Sequence, residues 1–184
     1  MNGIEFFKRL LGNHAPEAVH HGRPLQAALG TRVLVVDDSP TIRAVLGKML
    51  GVDGYAVQKA VDGENAIELA KAEQPELIFL DIVLPGINGF AVLRALRHDP
   101  LTSHIPIVMI SGNQQATEQF YVQRFGADDF IKKPFGQREV QQSIHRLVRT
   151  GRLAARVVVP LTATPSTVTT PYEEIRSTVS GMAA

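Results

Sequence analysis

The amino-acid sequence predicts an α/β fold, a doubly wound parallel sheet of five strands with helices on both faces. From Thr31 onward, short apolar runs alternate with amphipathic stretches of helical period, as in repeated βα units. The runs are almost continuously apolar, which is the pattern of parallel strands buried on both faces. A hydrophobic share of 45% and a charged share of 20% argue against disorder, collagen and a coiled coil for the chain as a whole.

Five apolar runs predict the strands, and the amphipathic stretches that follow them predict the helices. The predicted strands span residues 33–36, 55–57, 77–80, 107–110 and 130–131, of which the second is the weakest. The predicted helices span residues 40–50, 64–73, 88–98, 114–125 and 137–149. The first helix has a start signal, because the Ser39 hydroxyl can accept from the first turn and Pro40 needs no N–H partner there.

The segments on either side of this block differ from it in composition. Residues 1–30 form an N-terminal extension, in which an amphipathic helix is predicted around Ile4, Phe7, Leu10 and Leu11. Residues 151–184 form a C-terminal extension that contains the Thr/Pro-rich stretch PLTATPSTVTTP, typical of an extended linker. The sequence therefore predicts one domain over residues 31–150 with an extension at each end.

Charge and composition exclude several classes of function. Nineteen basic residues against 18 acidic ones give a net charge of +1, which does not favour direct binding to nucleic acid. The chain has no cysteine, so disulfides, thiolate metal sites and thiol catalysis are excluded. No segment resembles a signal peptide or a membrane span, and we expect a cytoplasmic protein.

Acidic side chains stand where two of the predicted strands end. The first strand is followed by Asp37 and Asp38, and the third by Asp81. The carboxyl ends of parallel strands meet at one edge of the sheet, so these carboxylates are expected to lie together. Carboxylates that close repel one another, and a hard divalent cation such as Mg²⁺ would compensate them. The loop after Asp81 can add the backbone carbonyl of Val83 as a ligand.

A hydroxyl and an amine are expected at the same edge. Ser111 ends the fourth strand, and Lys133 follows the fifth. Beside an open metal position, a carboxylate such as Asp81 can act as a nucleophile and form an acyl phosphate. The amine can neutralise the phosphoryl oxygens and the hydroxyl can donate to one of them. Singly, each residue has an ordinary structural explanation, such as a helix cap or a solvated lysine, but these do not explain the set.

These residues occur in four motifs that resemble the receiver domain of bacterial response regulators: VLVVDDSPTIR, LIFLDIVLPGINGF, IPIVMISG and GADDFIKKPF. The motifs have the order and spacing of that family. The resemblance implies a flavodoxin-like sheet with strand order 2-1-3-4-5. It implies that Asp81 is phosphorylated, that Asp38 binds Mg²⁺ directly and that Asp37 binds it through water. It also implies that Ser111 and Phe130 are the switch residues. Lys133 would be the family's lysine before a proline whose peptide bond is usually cis.

The resemblance also implies the partners. Asp81 would take its phosphoryl group from a sensor histidine kinase or a histidine phosphotransfer domain, and the switch would act on a downstream protein effector. The protein would be a monomer or a phosphorylation-dependent dimer, with no enzymatic activity beyond self-phosphorylation from phosphodonors and slow autodephosphorylation. Because no effector domain follows residue 149, we expect a stand-alone regulator, most similar to those of chemotaxis-like pathways for twitching motility and type IV pili.

Parts of the sequence are compatible with two other functions. The first is a phosphorylation-independent interaction scaffold that works through its two extensions. The second is a phosphatase of the haloacid type, which also uses a nucleophilic aspartate. That enzyme needs a general acid two residues after the nucleophile. Here the position is Val83, so this alternative is set aside.

Overall fold

The computed structural model describes residues 25–112 and 124–157. Within these ranges the chain forms one five-stranded sheet in the order β2-β1-β3-β4-β5, and all neighbouring strands are parallel. The strands are β1 (Arg32–Val36), β2 (Ala56–Ala60), β3 (Leu77–Asp81), β4 (Ile107–Ser111) and β5 (Asp129–Lys132). The predicted parallel sheet and its strand order are confirmed. Three predicted features lie outside the described residues: the helix at residues 4–11, nearly all of the helix at residues 114–125, and the Thr/Pro-rich stretch.

Burial along the strands follows their positions in the sheet. The central strands β3 and β4 are buried at every position, and β1 is exposed only at Arg32. The outer strand β2 is exposed at Ala56 and Lys59. An outer strand has only one neighbour and is partly open to solvent, so it needs less apolar sequence. This explains why the second apolar run is the weakest of the five.

Four helices are described, and their bounds lie within two residues of the predicted ones. They are α1 (Pro40–Val52), α2 (Gly63–Glu73), α3 (Gly89–His98) and α4 (Gln137–Arg149). Ser39 caps α1 as predicted, since its hydroxyl accepts from the backbone N–H of Ile42 at 3.4 Å. None of the described helices is long and apolar enough to cross a membrane.

The helices cover both faces of the sheet, which confirms the doubly wound architecture. On one face, α1 and α4 pack on the sheet through residues such as Leu46, Leu50 and Ile144. On the other face, α2 and α3 pack through residues such as Ala66 and Leu93. Two apolar cores, one on each side, therefore hold the strands in place and fix where their ends lie.

The two ends of the described chain meet beside the amino ends of the strands. Ala27 and Ala155 form an antiparallel bridge, and the Ala28 N–H donates to the Ala154 carbonyl at 3.0 Å. The Arg156 N–H donates to the Gln26 carbonyl at 2.8 Å. We call residues 25–31 and 151–157 the terminal clasp. Most of them belong to the predicted extensions.

The terminal clasp is packed against the core. Ala27 and Leu153 are buried among the residues of the α1 and α4 face. The Ala27 N–H donates to the Tyr55 hydroxyl at 3.3 Å. The Arg156 guanidinium donates to the side chain of Gln26 at 2.7 Å and to the backbone carbonyl of Asp53. The clasp thus joins both flanks to the end of the sheet where the strands begin.

Candidate functional site

Three carboxylates lie together at the opposite end of the sheet, where the strands finish. Asp37 and Asp38 follow β1, and Asp81 is the last residue of β3. One carboxylate oxygen from each lies within 4.8 Å of those of the other two. These strands are neighbours in the sheet, so residues at their carboxyl ends are close in space although 43 positions separate Asp38 from Asp81 in the sequence.

The two neighbouring aspartates have different surroundings. Asp37 is fully buried, whereas Asp38 is exposed. One oxygen of the Asp37 carboxylate accepts from the Ser39 N–H at 2.9 Å, which fixes the turn into α1. The Asp37 backbone carbonyl accepts from the Arg43 guanidinium at 2.6 Å. Asp37 is therefore held by its own helix entry, while the Asp38 carboxylate faces solvent.

Lys133 completes the cluster from the far side of the sheet. It follows β5, its N–H donates to the Ser111 carbonyl at 2.7 Å, and its peptide bond to Pro134 is cis. Its ammonium donates to Asp37 at 2.7 Å and to Asp81 at 2.8 Å. One cation thus bridges two buried carboxylates, and the net charge of the four groups remains negative.

Burial and charge act against each other on these groups. Burial raises the pKa of the Asp81 carboxyl, and the hydrogen bond and charge of Lys133 offset this only in part. Burial lowers the pKa of Lys133, but its hydrogen bonds to Asp37 and Asp81 outweigh this, so that its pKa lies above the ordinary value. Lys133 therefore stays protonated at neutral pH.

Ser111 and Phe130 lie at different heights along the sheet. Asp81 is aligned with Ile110 on β4, so Ser111 lies one residue further toward the carboxyl edge, and it is fully buried. Phe130 is aligned with Met109, two residues before Ser111 on β4. Its half-buried ring packs against the core under α2 and α3. Ser111 thus belongs to the edge that carries the acids, whereas Phe130 lies below it.

The loop after β3 brings Val83 beside the acids. The Val83 N–H donates to the Asp81 carboxylate at 3.4 Å, and 67% of the Val83 residue surface is exposed. Gly86 makes the loop turn with a φ of 72°, a conformation that favours glycine. An apolar side chain open to solvent therefore borders the approach to Asp81.

Two residues that help to build the site were missed in the sequence. Arg43 anchors the backbone of Asp37, and Gly89 lies directly against the backbone of Asp81. The spacing of Arg43 after the Ser39 cap puts it in the first turn of α1, near the acids, and could have been noticed. Nothing in a single sequence distinguishes Gly89 from a glycine that ends a loop.

The donor set of the cluster fits a hard divalent cation. All three residues offer carboxylate oxygens, which Mg²⁺ prefers over nitrogen and sulfur. One oxygen of Asp37 is held by Ser39 and the other by Lys133. Asp38 is exposed, and the Asp81 oxygen that does not bind Lys133 accepts from the Val83 N–H at the longer distance of 3.4 Å. These two groups are therefore better placed to contact a cation directly. The cluster can therefore hold a metal that keeps some of its own water.

The sequence profile of the response regulator receiver domain matches residues 33–145, more than half of the chain. The chain belongs to the response regulator receiver family. The resemblance drawn from the four motifs is thereby confirmed, and the receiver is identified as a signalling component of two-component systems.

Known relatives of this receiver agree with the assignment. The protein PilH of Pseudomonas aeruginosa is 38% identical over 117 residues, which cover 64% of this chain and 97% of PilH. A solved structure of the chemotaxis protein CheY4 of Vibrio cholerae matches with a TM-score of 0.60 and 28% identity, covering 65% of this chain and 98% of CheY4. The receiver spans about half the length of the transcriptional regulators among its relatives.

One solved relative was determined with a bound metal ion. The receiver domain of a sensor histidine kinase from Pseudomonas aeruginosa PAO1 has a magnesium ion coordinated in its active-site cleft. It matches with a TM-score of 0.60 and 28% identity, covering 65% of this chain and 98% of that domain. The acidic cluster described above agrees with a metal site of this kind.

Proposed function

We propose that the protein is a phosphorylation-dependent switch in which Asp81 accepts a phosphoryl group with the help of Mg²⁺. The observation that carries this proposal is the Lys133 ammonium, which lies 2.8 Å from the Asp81 carboxylate and 2.7 Å from Asp37. Burial of two acids beside one amine costs free energy of folding, which indicates a purpose other than stability. Phosphoryl transfer is such a purpose, because it needs a carboxylate nucleophile next to positive charge.

In the proposed reaction, an Asp81 oxygen attacks the phosphorus atom of the donor. A new O–P bond forms while the bond from phosphorus to the donor breaks, and the donor keeps the electron pair. The donor is the phosphohistidine of a sensor histidine kinase or a histidine phosphotransfer domain. Lys133 stays protonated and neutralises a phosphoryl oxygen, and the Ser111 hydroxyl donates to another. The transfer needs Asp81 in its ionised carboxylate form, and the charge of Lys133 favours that form.

Asp38, Asp81 and the Val83 backbone carbonyl would hold Mg²⁺ directly, and Asp37 would hold it through water. When bound, Mg²⁺ would supply positive charge that neutralises the phosphoryl oxygens as the group is transferred. The exposed Asp38 carboxylate supports this division, as do the two hydrogen bonds that already occupy Asp37.

The readout would pass through Ser111 and Phe130. Movement of the Ser111 hydroxyl toward the phosphoryl group would change the packing space near β5, and Phe130 would fill it by changing rotamer. Phe130 is half-buried and lies on the outer strand, which supports a role at a surface that a partner can read. Its ring lacks a hydroxyl, so recognition would depend on apolar burial.

The partner of the switch is a downstream protein effector, in a chemotaxis-like or type IV pilus motility pathway in the cytoplasm. Similarity to PilH and to a chemotaxis protein supports this pathway. We propose the division predicted from the sequence, with the receiver over residues 31–150 and extensions at 1–30 and 151–184. The protein would be a monomer, or a dimer once phosphorylated.

A second function, as an interaction scaffold, is favoured by the terminal clasp. The clasp holds residues 25 and 157 at the same end of the molecule, away from the acids. Both extensions therefore leave from one place and could present a joint surface to a partner, whether or not Asp81 is phosphorylated.

Intact mass spectrometry separates the two functions. The full chain is incubated with acetyl phosphate and Mg²⁺, beside an EDTA control and the Asp81→Ala variant, with circular dichroism to verify that both proteins are folded. One phosphate adduct that needs Mg²⁺ and is absent from the variant supports the phosphorylation switch. A folded wild-type protein without any adduct would reject the switch and favour the scaffold.

A further inference from the structure

Gly89, the first residue of α3, lies directly against the backbone of the proposed phosphoacceptor. Its N–H donates to the Ile82 carbonyl at 2.9 Å. A Cβ atom at this position would lie 2.1 Å from the Asp81 carbonyl oxygen and 2.9 Å from the Ile82 Cα. Carbon atoms in contact are normally about 3.5–4.0 Å apart. A side chain at residue 89 would therefore push α3 and the end of β3 away from each other.

Gly63, the first residue of α2, makes a similar approach to the other end of the same loop. A Cβ atom there would lie 2.5 Å from the Ile87 Cγ1 atom and 2.8 Å from the Ile87 carbonyl oxygen. Both glycines are buried. The loop over residues 82–88, which contains Val83, is thus held at one end by the start of α3 and at the other by the start of α2.

Backbone conformation does not require glycine at either position. The glycines with positive φ are Gly30, Gly54, Gly86, Gly126 and Gly151 among the described residues, and neither Gly63 nor Gly89 is one of them. Intrinsic helix propensity does not require glycine either, since it favours alanine within a helix. The need for glycine at residues 63 and 89 is therefore one of space: the loop must lie against the two helix starts.

We propose that Gly89 is a positioning residue for the Asp81 site, with Gly63 in support. The contact of Gly89 with the Asp81 carbonyl sets the distance between the Asp81 carboxylate and the Val83 backbone carbonyl, the two groups on this strand and loop proposed to contact Mg²⁺. This inference rests on the proposed function. The new element is that α3 can lie against the backbone of Asp81, and so hold the metal ligands in place, because residue 89 has no side chain.

The expected effect is large because the displacement is large. To relieve a 2.1 Å contact, the Gly89→Ala backbone must move by about 1 Å or more. A shift of about 1 Å in a reacting group can slow a reaction by on the order of 10²-fold. We expect a loss of this order in the rate of phosphorylation, together with about tenfold weaker Mg²⁺ binding.

The test compares four variants of the full chain with the wild type: Gly89→Ala, Gly63→Ala, Gly51→Ala and Leu153→Ala. Gly51 is the matched control, because it lies in α1 and a Cβ there meets no atom within 4 Å. Leu153→Ala is the control for lost stability alone, because Leu153 is buried in the terminal clasp.

The Mg²⁺ affinity is measured by isothermal titration calorimetry, since the chain has no tryptophan to report binding. The rate of adduct formation from acetyl phosphate is measured by intact mass, and unfolding by circular dichroism.

Gly89→Ala should lose Mg²⁺ affinity and rate while it is still folded, and Gly63→Ala should lose less of both. Gly51→Ala and Leu153→Ala should keep both within about twofold of the wild type. If Gly89→Ala is folded and binds Mg²⁺ as tightly as the wild type, the inference is wrong. If Gly89→Ala does not fold, Gly63→Ala decides: unchanged Mg²⁺ affinity in that variant overturns the inference. A wild-type protein that binds Mg²⁺ but forms no adduct rejects the proposed function instead, and the Mg²⁺ arm still tests the glycine contact.

Discussion

The two ends of the sheet differ in how they handle polar groups. At the carboxyl end, three carboxylates are crowded around one ammonium, and burial holds the pKa of Asp81 above its usual range. At the amino end, the Arg156 guanidinium donates to a side-chain amide and to backbone carbonyls, and the bridged flanks cover the core. One end concentrates unfavourable charge, and the other satisfies its polar groups.

This difference separates stability from chemistry along the axis of the strands. Crowded charges of one sign lower stability, and perturbed groups of this kind are found at functional sites. The hydrogen bonds and apolar burial of the terminal clasp add stability without crowding charges of one sign. Substitutions at the carboxyl end should therefore change reactivity as well as stability, whereas substitutions at the amino end should change only the free energy of unfolding.

The largest effect is expected from Lys133→Ala. It leaves Asp37 and Asp81 buried without their shared cation, and breaking a buried ion pair in this way costs about 3 kcal/mol. Urea unfolding in the presence of EDTA measures the loss. Addition of Mg²⁺ should recover part of it, because the cation replaces the missing charge. Lys132→Ala, at an exposed neighbour, is the control and should leave stability unchanged.

Leu153→Ala tests the amino end. Removal of this buried side chain from the edge of the core should lower the free energy of unfolding by about 2 kcal/mol. The same urea titration measures it. Phosphorylation of the folded variant by acetyl phosphate should proceed at the wild-type rate. A slower rate would show that the two ends are coupled and would contradict the separation described above.

A smaller effect, with a pH dependence, is expected from Asp81→Asn. Because the folded-state pKa of Asp81 is raised, its contribution to stability is full below the unfolded-state pKa, about 4, and is lost as the pH rises through the folded-state pKa. Asparagine stays neutral at every pH. In EDTA the variant should be more stable than the wild type at pH 7, and the difference should shrink toward pH 4. An unfolding difference that does not vary with pH would contradict the assignment.

The smallest effect is expected at Val83, which has no polar group to assist an attacking water. Val83→Asn should add one hydrogen bond, worth about 1 kcal/mol, and speed loss of the phosphoryl group roughly fivefold. The decay is followed by intact mass after the phosphodonor is removed. Val83→Ala, which cannot form that hydrogen bond, should decay at nearly the wild-type rate. Equal decay in the asparagine variant would reject the role of this position.

The architecture could be predicted from the sequence because parallel strands leave a strong apolar pattern. The apolar runs predict the bounds of β1, β3 and β4 to within a residue or two. The acids were expected to lie together because Asp37, Asp38 and Asp81 stand at the ends of neighbouring strands. Here the local pattern and the topology lead to the same result, which is typical of a consistent fold.

Other features depend on contacts between distant residues and leave no local pattern. Arg156 bonds to Gln26 across 130 positions, and Ala27 is buried in a segment that has neither helical nor strand period. The bridge of Lys133 between two acids could be expected in general terms, but its distances depend on how β5 packs. Gly89 matters because a side chain at this position would clash with the Asp81 carbonyl, and a single sequence does not show which atom lies there.

The bridge between Ala27 and Ala155 has a mechanical consequence. If both extensions were held by partners and pulled apart, the force would enter the domain at one point. The hydrogen bonds of the terminal clasp would break one after another, starting from the outer ends, before any strand of the sheet carried the load. While the clasp holds, the force would not reach the acidic cluster at the far end of the sheet. The domain could then link two partners under tension while the geometry of its reactive groups is unchanged.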